Sequence, residues 1–289
     1  GPAGTFTEAA LMQVPDAADA VRVPSSNVNT ALDKVRDGSA DAAMVPIENS
    51  VEGGVTATLD AIATGQELSG GSLRPKEAKC RLWAENNIPS AEYIPGSSTA
   101  AAAMGLLEGD THYDAAICAP IVATEQPGLA VLAEDIGDNP GAVTRFVLVG
   151  RPGALPEPTG ADKTTVVVPL PEDRPGALME ILDQFATRGV NLSRIESRPT
   201  GQYLGHYFFS IDADGHVADA RVADALAGLH RISPATRFLG SYGRADGHRT
   251  VVEPHTSDQA FRAAHAWVRD ILSGASVVPE YMSKASPTA

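Results

Sequence analysis

The stretch from Thr165 to Gly201 reads TVVVPLPEDRPGALMEILDQFATRGVNLSRIESRPTG and contains a strand, a turn, a helix and a second strand. Its first residues are β-branched, which favours a strand. Apolar residues then recur at helical spacing and form one face of a helix: Leu178, Ile181, Leu182 and Phe185. Pro175 suits the first turn of this helix and Gly189 its end. The stretch has no metal-ligand cluster and no nucleophile beside a base, so its role must be sought in what surrounds it.

The residues that follow complete a small domain. Strands are predicted over 190–199 and 203–215, a second helix over 217–230 and a last strand over 236–242. The order βαββαβ predicts an antiparallel sheet with both helices on one face. The other face of such a sheet stays open unless a partner covers it.

The residues before the stretch alternate between strands and helices, which predicts an open α/β sheet. The predicted strands include residues 42–47, 91–96, 114–120 and 142–150. Prolines and glycines without an apolar period then mark a linker. We therefore divide the chain into a first α/β domain (1–152), a linker (153–162), the βαββαβ domain (163–245) and a C-terminal helix and tail (246–289). In that last helix, an apolar stripe is expected to pack on a neighbour.

Composition excludes several classes of protein. The 289 residues have a formal net charge of −14, and no basic stripe typical of a nucleic-acid binder is visible. No apolar run reaches membrane-spanning length. Two cysteines do not make a disulfide scaffold and favour a reducing compartment, so we expect a cytoplasmic protein. The acidity also means that an anionic substrate needs a local positive site.

Cofactor motifs are equally scarce. There is no G-x-G-x-x-G pattern and no Walker loop, which argues against a nucleotide cofactor. The seven histidines include no HxxxH or HExxH pair, so no metal site is expected. Cys80 and Cys118 are interpreted as small apolar fillers. We expect no cofactor.

Several helix starts are suited to anions, because their backbone N–H groups lack partners. GPAGTF (1–6) and GSSTAAAA (96–103) both open helices, and VPIENS (45–50) follows a buried strand. Each pattern also fits a plain turn or cap. The Arg of TRF (144–146) fits an ion pair as well as a ligand clamp. Together they predict a small carboxylate-bearing metabolite in a cleft between two α/β lobes.

The motifs GPAGTF, VPIENSVEGGV, GSSTAAA, TRFVLV, RPGALMEIL and ESRP stand in an order that resembles the bacterial monofunctional prephenate dehydratases with a C-terminal ACT domain. The resemblance covers residues 1 to about 245. It implies two α/β lobes like those of type 2 periplasmic binding proteins, followed by a ferredoxin-like ACT domain. It also implies conversion of prephenate to phenylpyruvate, with loss of water and carbon dioxide, in phenylalanine biosynthesis.

The same resemblance assigns roles to individual residues. Thr144 falls on the essential Thr of the family, where it would donate to the departing hydroxyl. The expected substrate-binding residues are Asn49, Thr5, Ser72, Ser97, Ser98, Thr99, Arg145 and Phe146. Among these, Arg145 and the two helix starts would anchor the carboxylates of prephenate.

The sequence departs from the family around Ser72. SLRPKEAKC (72–80) keeps the Ser and the Cys of the family motif, but has Lys at position 79 and lacks the His and the first Gln. The family also has a further segment before this motif, which supplies a returning strand and a strand of the second lobe. Here ATGQEL (63–68) runs almost directly into it, and we expect a break in the chain between Leu68 and Ser72.

The resemblance to ACT domains gives the stretch from Thr165 to Gly201 a role. In this family, GAL and ESRP mark a phenylalanine site at the interface between paired domains. The expected effector residues are Gly176, Ala177, Leu178, Glu196, Ser197, Arg198 and Pro199. The expected partners are prephenate, L-phenylalanine and a second copy bound through the ACT domain, giving a homodimer and then a homotetramer. Three alternatives remain: the domain is only a dimerisation plate, the substrate is arogenate, or the chain is an amino-acid sensor without catalysis.

Overall fold

The computed structural model describes residues 4–50, 53–65, 69–73, 80–94, 99–108, 112–139, 141–170, 172, 174–200 and 207–274. The helices in this part of the chain are α1 (Phe6–Leu11), α2 (Val28–Arg36), α3 (Thr56–Thr64), α4 (Arg81–Asn87), α5 (Thr99–Glu108), α6 (Pro120–Glu125), α7 (Ala177–Ala186), α8 (Ala220–Ile232) and α9 (Asp258–Leu272). The strands are β1 (Ala42–Asn49), β2 (Gly53–Gly54), β3 (Ser69–Leu73), β4 (Thr144–Gly150), β5 (Asp162–Pro169), β6 (Leu192–Pro199), β7 (Tyr207–Asp214) and β8 (Arg237–Gly243).

The first four strands form one antiparallel sheet in the order β2-β1-β4-β3. Its central strands are apolar on both faces, so each face carries a core. On one face Val45 and Val147 pack with residues of α2 and α3. On the other, Met44 and Phe146 pack against Ala10 of α1. The α/β class predicted for this domain is confirmed.

The described residues of the two strands predicted for the second lobe do not form strands. Residues 91–94 and 114–119 have no regular secondary structure, while residues 95 and 96 lie outside the described part of the chain. A strand needs a hydrogen-bonding neighbour for its backbone. Neither segment pairs with a strand of the two described sheets.

β3 bears on the expected chain break. Ser69 to Leu73 pair residue by residue with Gly150 to Phe146 of β4, so the chain runs without interruption from Ser69 through Ser72. The expected break does not lie within that stretch. Leu68 lies outside the described residues.

The last four strands form a second antiparallel sheet in the order β6-β7-β5-β8. The chain order βαββαβ is confirmed. α7 and α8 share a core with one face of the sheet, in which Ile181, Phe185 and Leu229 are almost fully buried.

The opposite face of this sheet, predicted to be open, is covered by the first domain of the same chain. Val167, Phe208 and Leu239 belong to the same buried cluster as Val45 and Val147 of the first sheet. The two domains therefore share a core, and this face is not left for a partner.

β4 ends at Gly150 and β5 begins at Asp162, so the connection between the domains covers residues 151–161. At the other end, α9 buries none of its residues fully. Phe261 of its predicted apolar stripe is half-buried, whereas Val268 and Leu272 are exposed. None of the helices in the described part of the chain has the length and apolar character needed to cross a membrane.

Candidate active site and effector site

A bulge in β1 determines which side chain faces Thr144. The register of β1 against β4 shifts between Pro46 and Glu48, after which Asn49 pairs directly with Thr144. A bulge reverses the alternation of side chains beyond it. Without it, Glu48 would lie on the face that carries Thr144, and Asn49 on the other.

Asn49 and Thr144 are joined by a hydrogen bond. Asn49 Nδ2 donates to Thr144 Oγ1 over 2.8 Å. Thr144 is only 2% exposed, which holds its hydroxyl in a fixed place. A hydroxyl oxygen that accepts from one neighbour directs its own proton to a different acceptor. Asn49 therefore orients Thr144 as a hydrogen-bond donor.

Ser50 fixes the strand ends that hold this pair. Its backbone N–H donates to the Val143 carbonyl, and the Val143 N–H donates back to Ser50 Oγ, both over 2.9 Å. The two bonds close the ladder just beyond Asn49 and Thr144. Sequence reasoning placed Ser50 beside the site but did not identify this role.

The two predicted anion-binding helix starts lie next to each other. Gly4 has φ of +73°, and a Cβ atom on it would meet Val122 at 2.8 Å and Ala100 at 3.5 Å. The loop before α1 therefore packs on α6 and on the first turn of α5. This contact brings Thr5, at the N-cap position of α1, close to Thr99, the first residue of α5.

Three other predicted substrate residues are placed only in part or not at all. Ser72 lies in β3 opposite Val147, three residues along β4 from Thr144. Ser97 and Ser98 lie outside the described residues.

Phe146 is a core residue. It is 2% exposed and packs with Met44 and Ala10, which holds α1 on the Thr144 face of the sheet. The predicted contact between Phe146 and substrate does not fit this geometry, because the ring is enclosed. Strand alternation places both Thr144 and Phe146 on one face but does not reveal that a helix covers the second.

Arg145 also requires a correction. As the next residue in β4, it points to the face opposite Thr144 and is buried, with 7% of its side chain exposed. Its Nη2 donates to Asp212 of the second sheet, and its Nε lies 3.6 Å from Glu48. Arg145 is thus an interdomain ion-pair partner, which is one of the two roles that the residues alone left open, whereas the resemblance implied an anchor for a substrate carboxylate.

Asp212 is the centre of a buried polar network. Two hydrogen bonds from Arg194, over 3.0 and 2.9 Å, reach its two oxygens, and Thr165 Oγ1 donates to Oδ1 over 2.8 Å. Burial raises the pKa of the Asp212 carboxyl, but the charges of Arg145 and Arg194 outweigh burial and hold this pKa well below its ordinary value. The carboxylate is therefore ionised at neutral pH.

A further contact ties the second sheet to α3. Arg237 of β8 donates to the Ala63 carbonyl, and also to the Gly65 carbonyl over 2.9 Å. These carbonyls lie at the C-terminal end of α3, where a cation is favoured.

The two predicted effector motifs meet at one end of the second sheet. Pro169, at the end of β5, pairs with Phe208 of β7, and Arg198, near the end of β6, pairs with the same residue from the other side. The loop after Pro169 leads to Gly176, which has φ of +88° and starts α7. Space beside Gly176 is open, so the left-handed backbone and not crowding calls for glycine.

Side-chain exposure differs within the motifs. Leu178 is 38% exposed, whereas Ala177 is buried in the core beneath α7. Ser197 and Pro199 are exposed on β6.

Glu196 and Arg198 of the second motif reach the first domain. Arg198 donates to both carboxylate oxygens of Asp60 in α3, over 3.1 and 2.9 Å. The Glu196 carboxylate lies against Gly54 of β2. The motif expected to sense an effector is therefore also in contact with the domain that carries Thr144.

Metal-ligating groups do not cluster in the described part of the chain. The described residues contain no group of three His, Cys, Asp or Glu side chains that could hold a metal ion. Burial raises the pKa of both cysteine thiols, with a further contribution from Asp138 at Cys80, so Cys80 and Cys118 resist ionisation.

Residues 1–69 and 72–154 match the family model described as prephenate dehydratase, and residues 164–231 match the ACT domain. A protein from Amycolatopsis methanolica named prephenate dehydratase is 44% identical over 299 residues, covering 95% of this chain and 97% of that protein. The chain belongs to the prephenate dehydratase family. The gap in the family match, at residues 70 and 71, falls between Leu68 and Ser72, where a break in the chain was expected.

Solved structures of the family are similar as well. Prephenate dehydratase from Arthrobacter aurescens in complex with L-Phe is 72% identical, with a TM-score of 0.87, covering 95% of this chain and 98% of that one. A protein described as GqqA, a novel type of quorum quenching acylase, is 25% identical with a TM-score of 0.73, covering 84% of this chain and 96% of that one. The prephenate dehydratase fold thus also occurs in a protein described by a different activity.

Proposed function

We propose that this chain converts prephenate to phenylpyruvate, water and carbon dioxide. The observation that carries the proposal is the 2.8 Å hydrogen bond from Asn49 to Thr144, which orients a buried hydroxyl as a donor in a chain of this family. The helix starts at Thr5 and Thr99 lie together, and α1 packs on the Thr144 face of the sheet.

The reaction does not require a strong acid from the protein. The bond between the ring and its carboxylate breaks, and its electron pair enters the ring as the carboxylate leaves as carbon dioxide. The bond to the ring hydroxyl breaks in turn, and the departing oxygen takes one proton to become water. Aromatisation drives both events, so Thr144 needs only to hydrogen-bond or protonate that oxygen. No cofactor is required.

Most of the acceleration must then come from orientation, because a Thr hydroxyl is a weak acid. Asn49 directs the Thr144 hydroxyl. Thr5 and Thr99, together with Ser97 and Ser98, are proposed to hold the carboxylates through hydroxyl and backbone N–H groups. Ser72 remains a proposed substrate contact, on the resemblance alone.

We further propose that L-phenylalanine regulates the enzyme through the ACT domain. The GAL and ESRP motifs lie at one end of the second sheet, and exposed Leu178, Ser197 and Pro199 border that end. The relative from Arthrobacter aurescens was crystallised with L-Phe. A second copy bound beside the ACT sheet, and a homotetramer built from two such pairs, are part of this proposal.

Incubation of the full chain with prephenate, followed by the absorbance of phenylpyruvate, tests the activity. Accumulation of phenylpyruvate that depends on enzyme concentration supports it. Arogenate provides the matched arm, because the same chemistry on arogenate gives phenylalanine directly. If neither substrate is consumed while phenylalanine still binds in calorimetry, the chain is a sensor and the proposed activity is wrong.

A further inference from the structure

Thr144 and Arg145 are consecutive residues of β4 that face different domains. Thr144 bonds to Asn49 on the α1 face, and Arg145 pairs with Asp212 on the ACT face. In β1, Asn49 pairs with Thr144 and lies on the α1 face, whereas Glu48 pairs with Arg145 and lies on the ACT face. The Glu48 carboxylate is 3.6 Å from Arg145 Nε. Both members of the proposed catalytic pair therefore have a chain neighbour in one interdomain ion cluster.

This cluster continues to the strand that carries the effector motif. Asp212 of β7 is bonded to Arg194 of β6, and Arg194 also donates to Ser210 over 2.8 Å. Two residues further along β6, the motif begins at Glu196. Arg194, Asp212 and Arg145 are all buried, and none of the three has more than 7% of its side chain exposed.

Burial makes these contacts stiff. A buried charge that loses its partner is strongly destabilised, so ions in such a cluster tend to move together. A displacement of β6 that shifts Arg194 must shift Asp212, and Arg145 must follow or lose its partner. Because Arg145 is covalently the neighbour of Thr144, the displacement reaches the donor hydroxyl.

We infer that Arg145 is a positioning residue, through which the ion pair with Asp212 makes the placement of Thr144 depend on the state of the ACT domain. The inference rests on the proposed function. It assigns Arg145 a role in the alignment of Thr144 and in inhibition by phenylalanine, and no contact with substrate.

The decisive variant is Asp212→Asn, because Asp212 lies in the ACT domain and touches no proposed substrate residue. The matched control is Asp214→Asn, two residues along the same strand. Asp214 is likewise nearly buried and pairs with Arg244 at 3.1 Å and with Asn191 at 2.8 Å, both in the same domain. Both changes remove a buried carboxylate charge, but only the first removes an interdomain one.

We expect Asp212→Asn to lower kcat for prephenate with little change in KM, and to reduce inhibition by phenylalanine. Coupling between sites is typically about 5–150-fold, and it should fall towards about 1-fold in this variant while phenylalanine still binds in calorimetry. Asp214→Asn should keep the inhibition. If both variants weaken inhibition equally, or if KM alone rises, the inference is wrong.

Hydrogen exchange tests the inference without a measurement of turnover. Phenylalanine should change the protection of β4 amides in the unaltered chain and in Asp214→Asn, but not in Asp212→Asn.

If Asp212→Asn does not fold, Arg145→Lys replaces it, since Lys keeps the charge but loses the forked donors. An unaltered chain that binds phenylalanine but leaves prephenate intact contradicts the proposed activity, and the exchange data still decide the inference. If phenylalanine binding leaves the protection of the β4 amides unchanged in the unaltered chain, the inference is wrong.

Discussion

The Glu196 carboxylate of β6 lies so close to Gly54 of β2 that a Cβ atom there would stand 1.7 Å from Oε2. Such a separation is far inside van der Waals contact, so any side chain at this position would displace the end of the Glu196 side chain from the contact between the two domains. β2 in turn pairs with the end of β1, where Gly53 lies opposite Asn49. The effector motif thus touches the strand next to the proposed catalytic pair.

This contact predicts a specific non-additivity. Gly54→Ala should destabilise the chain, because the Glu196 side chain must withdraw from the interface. In a Glu196→Ala background the same change should be neutral or stabilising, since Gly54 does not need a positive φ and alanine restricts the unfolded chain. Contacting residues show interaction energies of about 0.5–3 kcal/mol, measurable by urea unfolding of the four proteins. Additive effects would mean that the two residues do not touch.

Thr144→Ala should abolish turnover of prephenate while leaving the fold intact. Loss of a positioned proton donor costs about 10²–10⁴-fold in rate. The alanine variant has no hydroxyl at position 144 for Asn49 to orient. Thr144→Ser is the matched control, because it keeps the hydroxyl within reach of Asn49 Nδ2. Steady-state kinetics and phenylalanine calorimetry measure both effects. If the alanine variant keeps a substantial share of the activity, another group is the donor.

Asn49→Ala should be milder. It removes one neutral hydrogen bond, worth about 0.5–1.5 kcal/mol, so kcat/KM should fall by roughly 2- to 13-fold. Part of the change should appear in KM, because Asn49 is only half-buried and is also expected to contact substrate. Asn49→Ala added to Thr144→Ala should have little further effect on kcat, since the bond has already lost its acceptor. Unchanged rate and affinity in the single variant would remove Asn49 from the site.

The sequence was sufficient for the elements of the second domain, because its apolar periods and turn residues are local signals. It also marked Thr144 and Asn49, through the resemblance. It did not reveal the bulge at residues 46–48 that brings them to one face, since that depends on the pairing of β1 with β4. The direction of Arg145 follows from strand alternation, but its partner Asp212 is 67 residues away and belongs to another domain.

A buried tyrosine provides the last prediction. Tyr242 bonds to Thr165 over 2.6 Å, and burial, followed by the charge of Asp212, raises the pKa of its phenol to about 12. An unfolded tyrosine ionises near a pKa of about 10. The raised pKa therefore stabilises the fold fully below about pH 10, and this contribution is lost as pH rises towards about 12.

The difference of two pKa units corresponds to about 3 kcal/mol of unfolding free energy. Between about pH 10 and 12, the unfolding free energy of Tyr242→Phe should therefore fall less than that of the unaltered chain. At pH 8 the variant should be less stable than the unaltered chain, because it lacks the hydrogen bond to Thr165. Tyr93→Phe is the control, because Tyr93 is 82% exposed and its change removes no buried hydroxyl. Urea unfolding at several pH values measures all three proteins. Parallel pH dependences for the unaltered chain and Tyr242→Phe would show that Tyr242 is not held in a buried, neutral state.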